Sequence, residues 1–423
     1  MAHHDSTGKP FTVAIVGGGI GGLALAIGLR HQGISVQIYE AAPAFAEIGA
    51  GIAFGPNAIS AMYLIDPAIR DAFRRLATKN GFDEEDETWI NFRSGFGEPT
   101  LIAKVQTGDQ EKTGLSSVHR ARFLDELASL IPKDIAHFGK RLLSFQEEAS
   151  GKLTLVFEDG ETAFADVLVG ADGVRSRVRQ LLLGKESVLD GLSFTGKYAY
   201  RGLIAMDKAR EAVGDELAMN SQMYLGKDGH VLTYPIDHGK TMNVVAFKNK
   251  EDGPWEHDHW VLKSKGEDMR RDFANWGTPV RSVLDLMVDA DMWALFDMLP
   301  APTYYKGNVV LVGDAAHAST PHQGAGAGQA LEDAFILSML LGDKKTRCAG
   351  DIPAAFRAYD AIRRPRSQKV VSTSRTAGAT YALQGEARDN LDEVGEELLQ
   401  RYKWIWDEDM QVQAEHARAL LGQ

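Results

Sequence analysis

Apolar positions fall into two patterns along this chain. In the first, short runs rich in β-branched residues predict buried strands: Phe11 to Val16 (FTVAIV), Asp166 to Val169 and Asn308 to Val312. Glycines follow Val16 at once. Leu23 to His31 then has the make-up of a helix ended by Gly33, and Ser35 to Tyr39 predicts a second strand closed by Glu40. Strand, helix and strand within about thirty residues make a βαβ unit with parallel strands and a right-handed crossover.

In the second pattern strand signals recur without intervening long helices. Four of them between Ser193 and Phe247 (YAYRGLIAM, QMYLG, HVLTYPI and MNVVAF) predict an antiparallel sheet, a different architecture from the start of the chain. Leu142 to Thr162 alternates as a hairpin with Asp159-Gly160 as its turn. Helices are predicted at Pro67 to Leu76, at Arg120 to Leu130 with an apolar stripe of Phe123, Leu124, Leu127 and Leu130, across the polar surface stretch Trp255 to Trp276, and through most of the chain from Ala325 onward. Glu47 to Ala58 is Gly-rich yet carries Ile48, Ile52 and Phe54, so it reads as a loop held against a ligand. The expected fold is α/β. A Rossmann-type dinucleotide-binding domain is built from residues 1–75, 101–185 and 290–345. A mainly antiparallel sheet domain for the substrate is inserted from 76–100 and 186–289, and a helical region follows at 346–423.

Composition narrows the function classes. With 44% hydrophobic and 25% charged residues the chain can bury a full core. A net charge of −12 without any basic run argues against nucleic acid as a partner. No stretch approaches the roughly 20 apolar residues of a membrane helix. The opening MAHHDSTGKP is polar and the closing LLGQ is no organelle address, so the cytoplasm is the expected compartment. The single cysteine, Cys348, excludes an internal disulfide framework and a cysteine-based zinc site. His257-Asp258-His259 reads as a polar surface loop, and no metal is expected. Trp404 and Trp406 read as packing or interface anchors, in a monomer or a homodimer.

The chemistry begins at Gly17-Gly18-Gly19-Ile20-Gly21-Gly22, which satisfies G-x-G-x-x-G directly after a strand and opens a helix. Gly17 permits the tight turn, Gly19 lets the backbone approach a pyrophosphate, and Gly22 lets helix and strand pack closely. The helix N-terminus offers free N–H groups to the phosphates, and the Glu40 carboxylate suits ribose hydroxyls. This motif alone does not choose between FAD and NAD. Asp314 ends a buried strand at the carboxyl edge of the sheet, where a carboxylate suits either a ribityl hydroxyl or a helix N-cap.

Two later segments, DVLVGADGVRSRVR (Asp166 to Arg179) and GDAAHASTP (Gly313 to Pro321), together with the first motif, resemble the three fingerprints of the flavoprotein aromatic hydroxylases, the group A monooxygenases. The resemblance covers nearly the whole chain and implies the fold of p-hydroxybenzoate hydroxylase. It implies one FAD in one Rossmann-type domain, with NADH or NADPH as co-substrate and no separate nicotinamide domain. It further implies FAD contacts at Ala53, at Arg120 beside the pyrophosphate, at Asp314, and at Ala327 in the helix start HQGAGAGQALEDA. Asp172-Gly173 is implicated in binding both FAD and NAD(P)H, with a local turn bonded through Ser176 and Arg179 as the alternative. For Arg120 the alternative is a solvated helix start.

Two subfamilies are most similar. SSVHRA, AYRG, MYLG-x-DGH, NVVAF and PHQGAGAGQ-x-LEDA resemble salicylate hydroxylases, whereas YAxRGLI around Arg201 and the stretch around Tyr234 resemble fungal dearomatising hydroxylases of orcinaldehyde-type phenols. The longer matches favour decarboxylating hydroxylation of salicylate to catechol, with O2 activated as a C4a-hydroperoxyflavin. Another phenolic acid as substrate, a non-hydroxylating flavoprotein oxidase or reductase, and a non-catalytic flavin-binding or interaction protein are the remaining alternatives. A phenol reacts as its phenolate, so the site must stabilise negative charge. Arg201 is the candidate clamp, or else an exposed strand arginine. Tyr234 is a candidate donor to phenolate or carboxylate, or a packed core tyrosine. His322 is the candidate carrier of the phenol proton, because an unperturbed imidazole titrates near neutrality; the alternative is a structural histidine. His230 is a weaker candidate.

Overall fold

The structure, a computed structural model, describes residues 8–45, 51–108, 113–184, 191–250, 253–264, 266–288 and 290–422. Thr12–Val16 lies at the centre of a six-stranded sheet ordered Tyr305–Lys306, Val309–Leu311, Val167–Gly170, Thr12–Val16, Ser35–Glu40, Ala136–Phe138. Every pairing is parallel except that of Tyr305–Lys306. Both faces are covered, which is why these strands read as continuous apolar runs rather than as alternation. Helix Ile20–His31 returns over the sheet and packs on helix Gly326–Gly342 at small residues, for a Cβ on Gly28 would meet Ser338 Oγ at 2.7 Å. At the carboxyl edge the three fingerprint turns are tied together: Gly17 N donates to Tyr39 O (2.9 Å), Ala171 N to Val16 O (2.8 Å) and Val312 N to Gly170 O (3.0 Å). Segments about 150 residues apart in sequence therefore open on one crevice, the place where such sheets hold ligands.

The second sheet has eight strands in the order Val261–Lys263, Asp291–Met298, Leu192–Ala205, Thr241–Asn249, Gly229–Ile236, Gln222–Gly226, Thr88–Ser94, Leu101–Gln106. It is antiparallel apart from the pairing of Gln222–Gly226 with Thr88–Ser94. One face, carrying Tyr200, Ile204, Tyr224, Val231, Val244 and Ala246, packs into an apolar core with helices Met206–Met219, Gly266–Asp272 and Thr278–Asp285. The opposite face looks toward the first sheet.

Several sequence expectations change here. Leu101–Gln106 and Asp291–Met298 are strands of the large sheet, so the expected boundaries at 101 and 290 cut it on both sides. The reason is local: LIAKVQ is short and half polar, and DMWALFDM carries acids at both ends, so neither signals a strand until its neighbour supplies the pairing. Leu142 to Thr162 forms three strands, Leu142–Glu147, Leu153–Phe157 and Thr162–Ala165, with Asp159-Gly160 joining only the last two. Trp255 to Trp276 holds one short strand beside one short helix. Within Glu47 to Ala58, residues 46–50 lie outside the described residues, Gly51–Ala53 pairs with Ser117–His119, and a helix starts at Pro56. Behind both sheets runs the 30-residue helix Ile352–Tyr381, tied to the large sheet by an ion pair from Arg375 to the buried Asp297. Among the described residues no helix is long and apolar enough to cross a membrane.

Candidate active site

A cavity of about 420 Å³ runs from the first glycine turn to the inner face of the large sheet. Its cofactor end is built from backbone. Gly17 adopts φ +109°, and a Cβ there would come within 2.2 Å of Ala171 O; a Cβ on Gly22 would come within 2.2 Å of Gly17 O. Only glycine fits at either position. Gly19 and Gly22 line the cavity, as do Ala53, Arg120, Asp314 and Ala327. Asp314 is exposed to it and makes no hydrogen bond or ion pair among the described residues, while Gly313 supplies the cap position of the short helix it begins. Ala327 sits in the first turn of helix Gly326–Gly342, whose N-terminus faces the cavity.

Two of the expected carboxylates are engaged by backbone N–H groups. Glu40 lies behind the glycine turn, where its two oxygens accept Gly18 N and Ala42 N, both at 2.7 Å. It braces the turn and leaves lone pairs over for a sugar. Asp172 accepts Arg177 N (2.7 Å), Val178 N (3.1 Å) and the Ser176 hydroxyl, and burial raises its pKa. Its carboxylate is spent on capping helix Arg177–Leu183, as the local-turn alternative requires, and Gly173 rather than Asp172 reaches the cavity.

The substrate end is one face of the large sheet. Register places Met223, Leu232, Val245 and Arg201 in a single rung across four strands, with Phe247, Ala199 and Trp293 in the next. All of these line the cavity. The wall is apolar except for Arg201, Tyr234 and, at its edge, the small Ser221. Arg201 has no hydrogen bond and no carboxylate partner among the described residues; its guanidinium lies 5.3 Å from the Trp293 ring. Burial and the nearby Arg120 lower its pKa, while the proximity of Tyr234 acts the other way. Burial pushes the Tyr234 phenol up to about 12, so it stays protonated and available as a donor. Gly51 lets strand Gly51–Ala53 pass over it, since a Cβ there would stand 2.7 Å from the Tyr234 hydroxyl.

His322 lies on the cavity wall in the turn Pro321–Gln323. The expectation that it titrates near neutrality fails, because complete burial and the charge of Lys197 push its pKa down to about 3. A neutral imidazole remains, able to accept or donate one hydrogen bond but weak as a base. It packs against His230 and Phe247, each with ring centroids 5.0 Å away, and burial, with the neighbouring His322, depresses the pKa of His230 as well. Thr320 Oγ1, Gln323 Nε2 and both ring nitrogens of His322 are buried with no hydrogen-bond partner in the described residues. Orphaned buried polar atoms are costly, and four of them along one cavity wall fit a site shaped for a polar ligand such as an isoalloxazine with its substrate.

Sequence reasoning missed two contributors. Tyr402, from the C-terminal helices, forms part of the wall; its hydroxyl bonds Tyr381 (2.6 Å) and its ring stacks on Trp406. The second is a buried charge network beneath the cavity. Asp333 accepts Gly313 N (2.9 Å), His317 Nε2 (2.6 Å) and Arg363 Nε (2.8 Å). Glu332 accepts Asn57 Nδ2 (2.6 Å), Arg366 Nε (2.7 Å) and Arg363 Nη1. The acids lie in the glycine-rich helix, but their arginine partners come some thirty residues later, so only the run LEDA was visible. His257 and His259 lie on a surface segment, and among the described residues no three potential ligands gather as a metal site.

The family model described as "FAD binding domain" matches residues 10–374. A 6-methylsalicylate 1-monooxygenase of Aspergillus terreus is 47% identical over 419 residues, covering 97% of this chain and 92% of its own length. A salicylate hydroxylase of Pseudomonas putida is 41% identical over 424 residues, covering 97% and 95%. Among solved structures, a salicylate hydroxylase substrate complex superposes with a TM-score of 0.87 at 37% identity, covering 97% of this chain and 98% of that one.

Proposed function

This chain belongs to the FAD-binding monooxygenase family, and on that premise we propose that it converts salicylate, or a ring-alkylated salicylate, to the corresponding catechol. In the overall reaction the carboxyl-bearing ring carbon gains an oxygen atom from O2 and its bond to the carboxyl carbon breaks, releasing CO2. The second oxygen atom leaves as water, and NADH or NADPH supplies the electron pair. FAD, when bound, supplies reduction by the coenzyme and activation of O2.

The chain's own residues hold, orient and polarise. Gly17, Gly19, Gly22 and the helix start at Ile20 cradle the pyrophosphate, with Arg120 beside it; Asp314 takes a ribityl hydroxyl, and Ala53 and the Ala327 turn flank the ring system. The observation that carries the substrate reading is Arg201, a cation without a carboxylate partner on an otherwise apolar wall. Such a group suits a small aromatic anion, holding its carboxylate or phenolate in a dry site where the interaction is strong. Tyr234 donates a second hydrogen bond to the same anion. His322, being neutral, positions the phenolic hydroxyl rather than storing its proton. Met223, Leu232, Val245 and Phe247 exclude water from the ring.

We assign the working compartment to the cytoplasm, which the lone cysteine supports, and the working unit to a monomer or homodimer. The domain division proposed is the parallel sheet with its helices for FAD and the eight-stranded sheet for substrate. The test is NADH consumption by the FAD-loaded protein. Salicylate or 6-methylsalicylate should accelerate it, with catechol product accounting for most of the NADH. Acceleration yielding only hydrogen peroxide would move the protein to the oxidase alternative.

A further inference from the structure

Next to the rung that holds Arg201, the large sheet carries a polar row. Gln222 pairs with Thr233, so one step further Ser221 stands beside Tyr234, and Tyr234 pairs in turn with Asn243. All three share the face of Met223, Leu232 and Val245, because alternate residues of a strand face the same way. All three are buried, Ser221 to 2% exposure. The hydroxyls of Ser221 and Tyr234 make no hydrogen bond among the described residues, and Asn243 Nδ2 is buried there without a partner. Ser221 is held in place by its backbone, whose N–H donates to Asn80 Oδ1 (2.8 Å) and whose carbonyl accepts Asn91 N (3.0 Å). Its apolar neighbours on the cavity wall, Ile90, Leu115 and Met223, offer the hydroxyl no side-chain partner.

Unpaired polar groups in a dry wall are costly, and three in one row suit the oxygen atoms of a ligand. Strands lie about 4.8 Å apart, so the row spans about 10 Å from Asn243 to Ser221, more than a single carboxylate can serve. Arg201 lies on the next strand beyond Asn243, paired with Val245, which puts the cation and Ser221 at opposite ends of the ring that lies between them. We propose that Ser221 is a specificity-determining residue that binds a second ring hydroxyl, para to the carboxylate held by Arg201, so that 4-hydroxylated salicylates are the preferred substrates, an inference that rests on the salicylate-type reading. The chemistry runs the same way. An oxygen para to the carboxyl-bearing carbon donates electron density to it, and that is the carbon that gains oxygen. Ser221 Oγ, accepting the O–H of this hydroxyl, strengthens the donation. A hydroxyl at position 6 activates the same carbon but lies beside the carboxylate, away from Ser221, so it separates placement from activation.

The test is titration of the FAD-loaded protein with salicylate, 2,4-dihydroxybenzoate and 2,6-dihydroxybenzoate, read by the change in flavin absorbance, in the parent and in Ser221→Ala. The expected result is a parent that binds 2,4-dihydroxybenzoate about three- to tenfold more tightly than salicylate, the worth of one neutral hydrogen bond, and gains nothing from the 2,6 isomer. In Ser221→Ala the ratio of the salicylate and 2,4-dihydroxybenzoate Kd values should fall to about one. A parent that binds 2,4-dihydroxybenzoate no more tightly than salicylate overturns the subsite without any variant. A preference that survives in Ser221→Ala, or an equal gain with the 2,6 isomer, overturns the assignment to Ser221. A parent that binds none of the three acids overturns the salicylate-type reading itself.

Discussion

Replacing Arg201 with Met separates binding from folding, because the two effects have opposite signs. In the folded protein the guanidinium makes no ion pair and no hydrogen bond among the described residues, and burial and Arg120 both disfavour its charge. Its removal therefore costs the fold only the contact with Trp293 and relieves a desolvated cation; exchanging a buried charge for an apolar side chain of similar length is commonly neutral or stabilising. The substrate loses a charge-assisted hydrogen bond worth about 1.5–3 kcal/mol, or roughly 10- to 150-fold in kcat/KM. The assay pairs thermal unfolding of the FAD-loaded protein with steady-state NADH oxidation on salicylate and on salicylamide, which lacks the carboxylate charge. The expected outcome is an unchanged or higher Tm, FAD still bound, and a loss that is larger for salicylate than for its amide. Wild-type kcat/KM with full coupling, or a Tm that falls by several degrees, refutes the clamp and makes Arg201 a structural residue.

Further outcomes follow from the same geometry. Gly22→Ala puts a Cβ 2.2 Å from Gly17 O, so the turn must open; the purified variant should lack flavin absorbance near 450 nm, and a fully yellow protein would contradict this packing. Lowering the His322 pKa from 6.5 to about 3 means the folded state binds fewer protons than the unfolded chain in that window, so stability is complete above pH 6.5 and drains as pH falls toward 3. His322→Gln should flatten that acid limb by up to about 5 kcal/mol, with His230 retaining a share; a Tm–pH curve parallel to the parent's counts against it. Asp333→Asn leaves Arg363 with one acid and Gly313 N with a weaker acceptor. A loss of about 3–5 kcal/mol in stability and weaker FAD retention are expected, tested by chemical denaturation with and without FAD; an unaltered midpoint would show the network to be dispensable.

Legibility in the sequence followed the range of the signal. The βαβ unit was readable because Gly17, Gly19, Gly22 and Glu40 fall within 24 residues and each type answers a local steric or electrostatic demand. The antiparallel run was readable because period-two alternation marks a sheet with two unlike faces, and that alternation is what sets Arg201, Leu232, Val245 and Phe247 on the cavity side. Helix Met206–Met219, lying between two of those strands, was passed over because its mostly polar sequence offers only a thin apolar stripe. Edge strand Leu101–Gln106 was missed because an edge needs little apolar content. The depressed pKa of His322 was not legible at all: it is set by burial beside His230 and by Lys197, residues about 90 and 125 positions away. The same holds for Asp333 and Arg363, whose pairing exists only once two long helices pack.

Decarboxylating hydroxylation is read out by a single turnover of the FAD-loaded, NADH-reduced protein with carboxyl-13C salicylate under 18O2. The expected product is catechol carrying one 18O, with 13CO2 released in equal amount. Hydrogen peroxide with salicylate recovered intact, or an oxygenated ring that keeps its 13C carboxyl group, would contradict it.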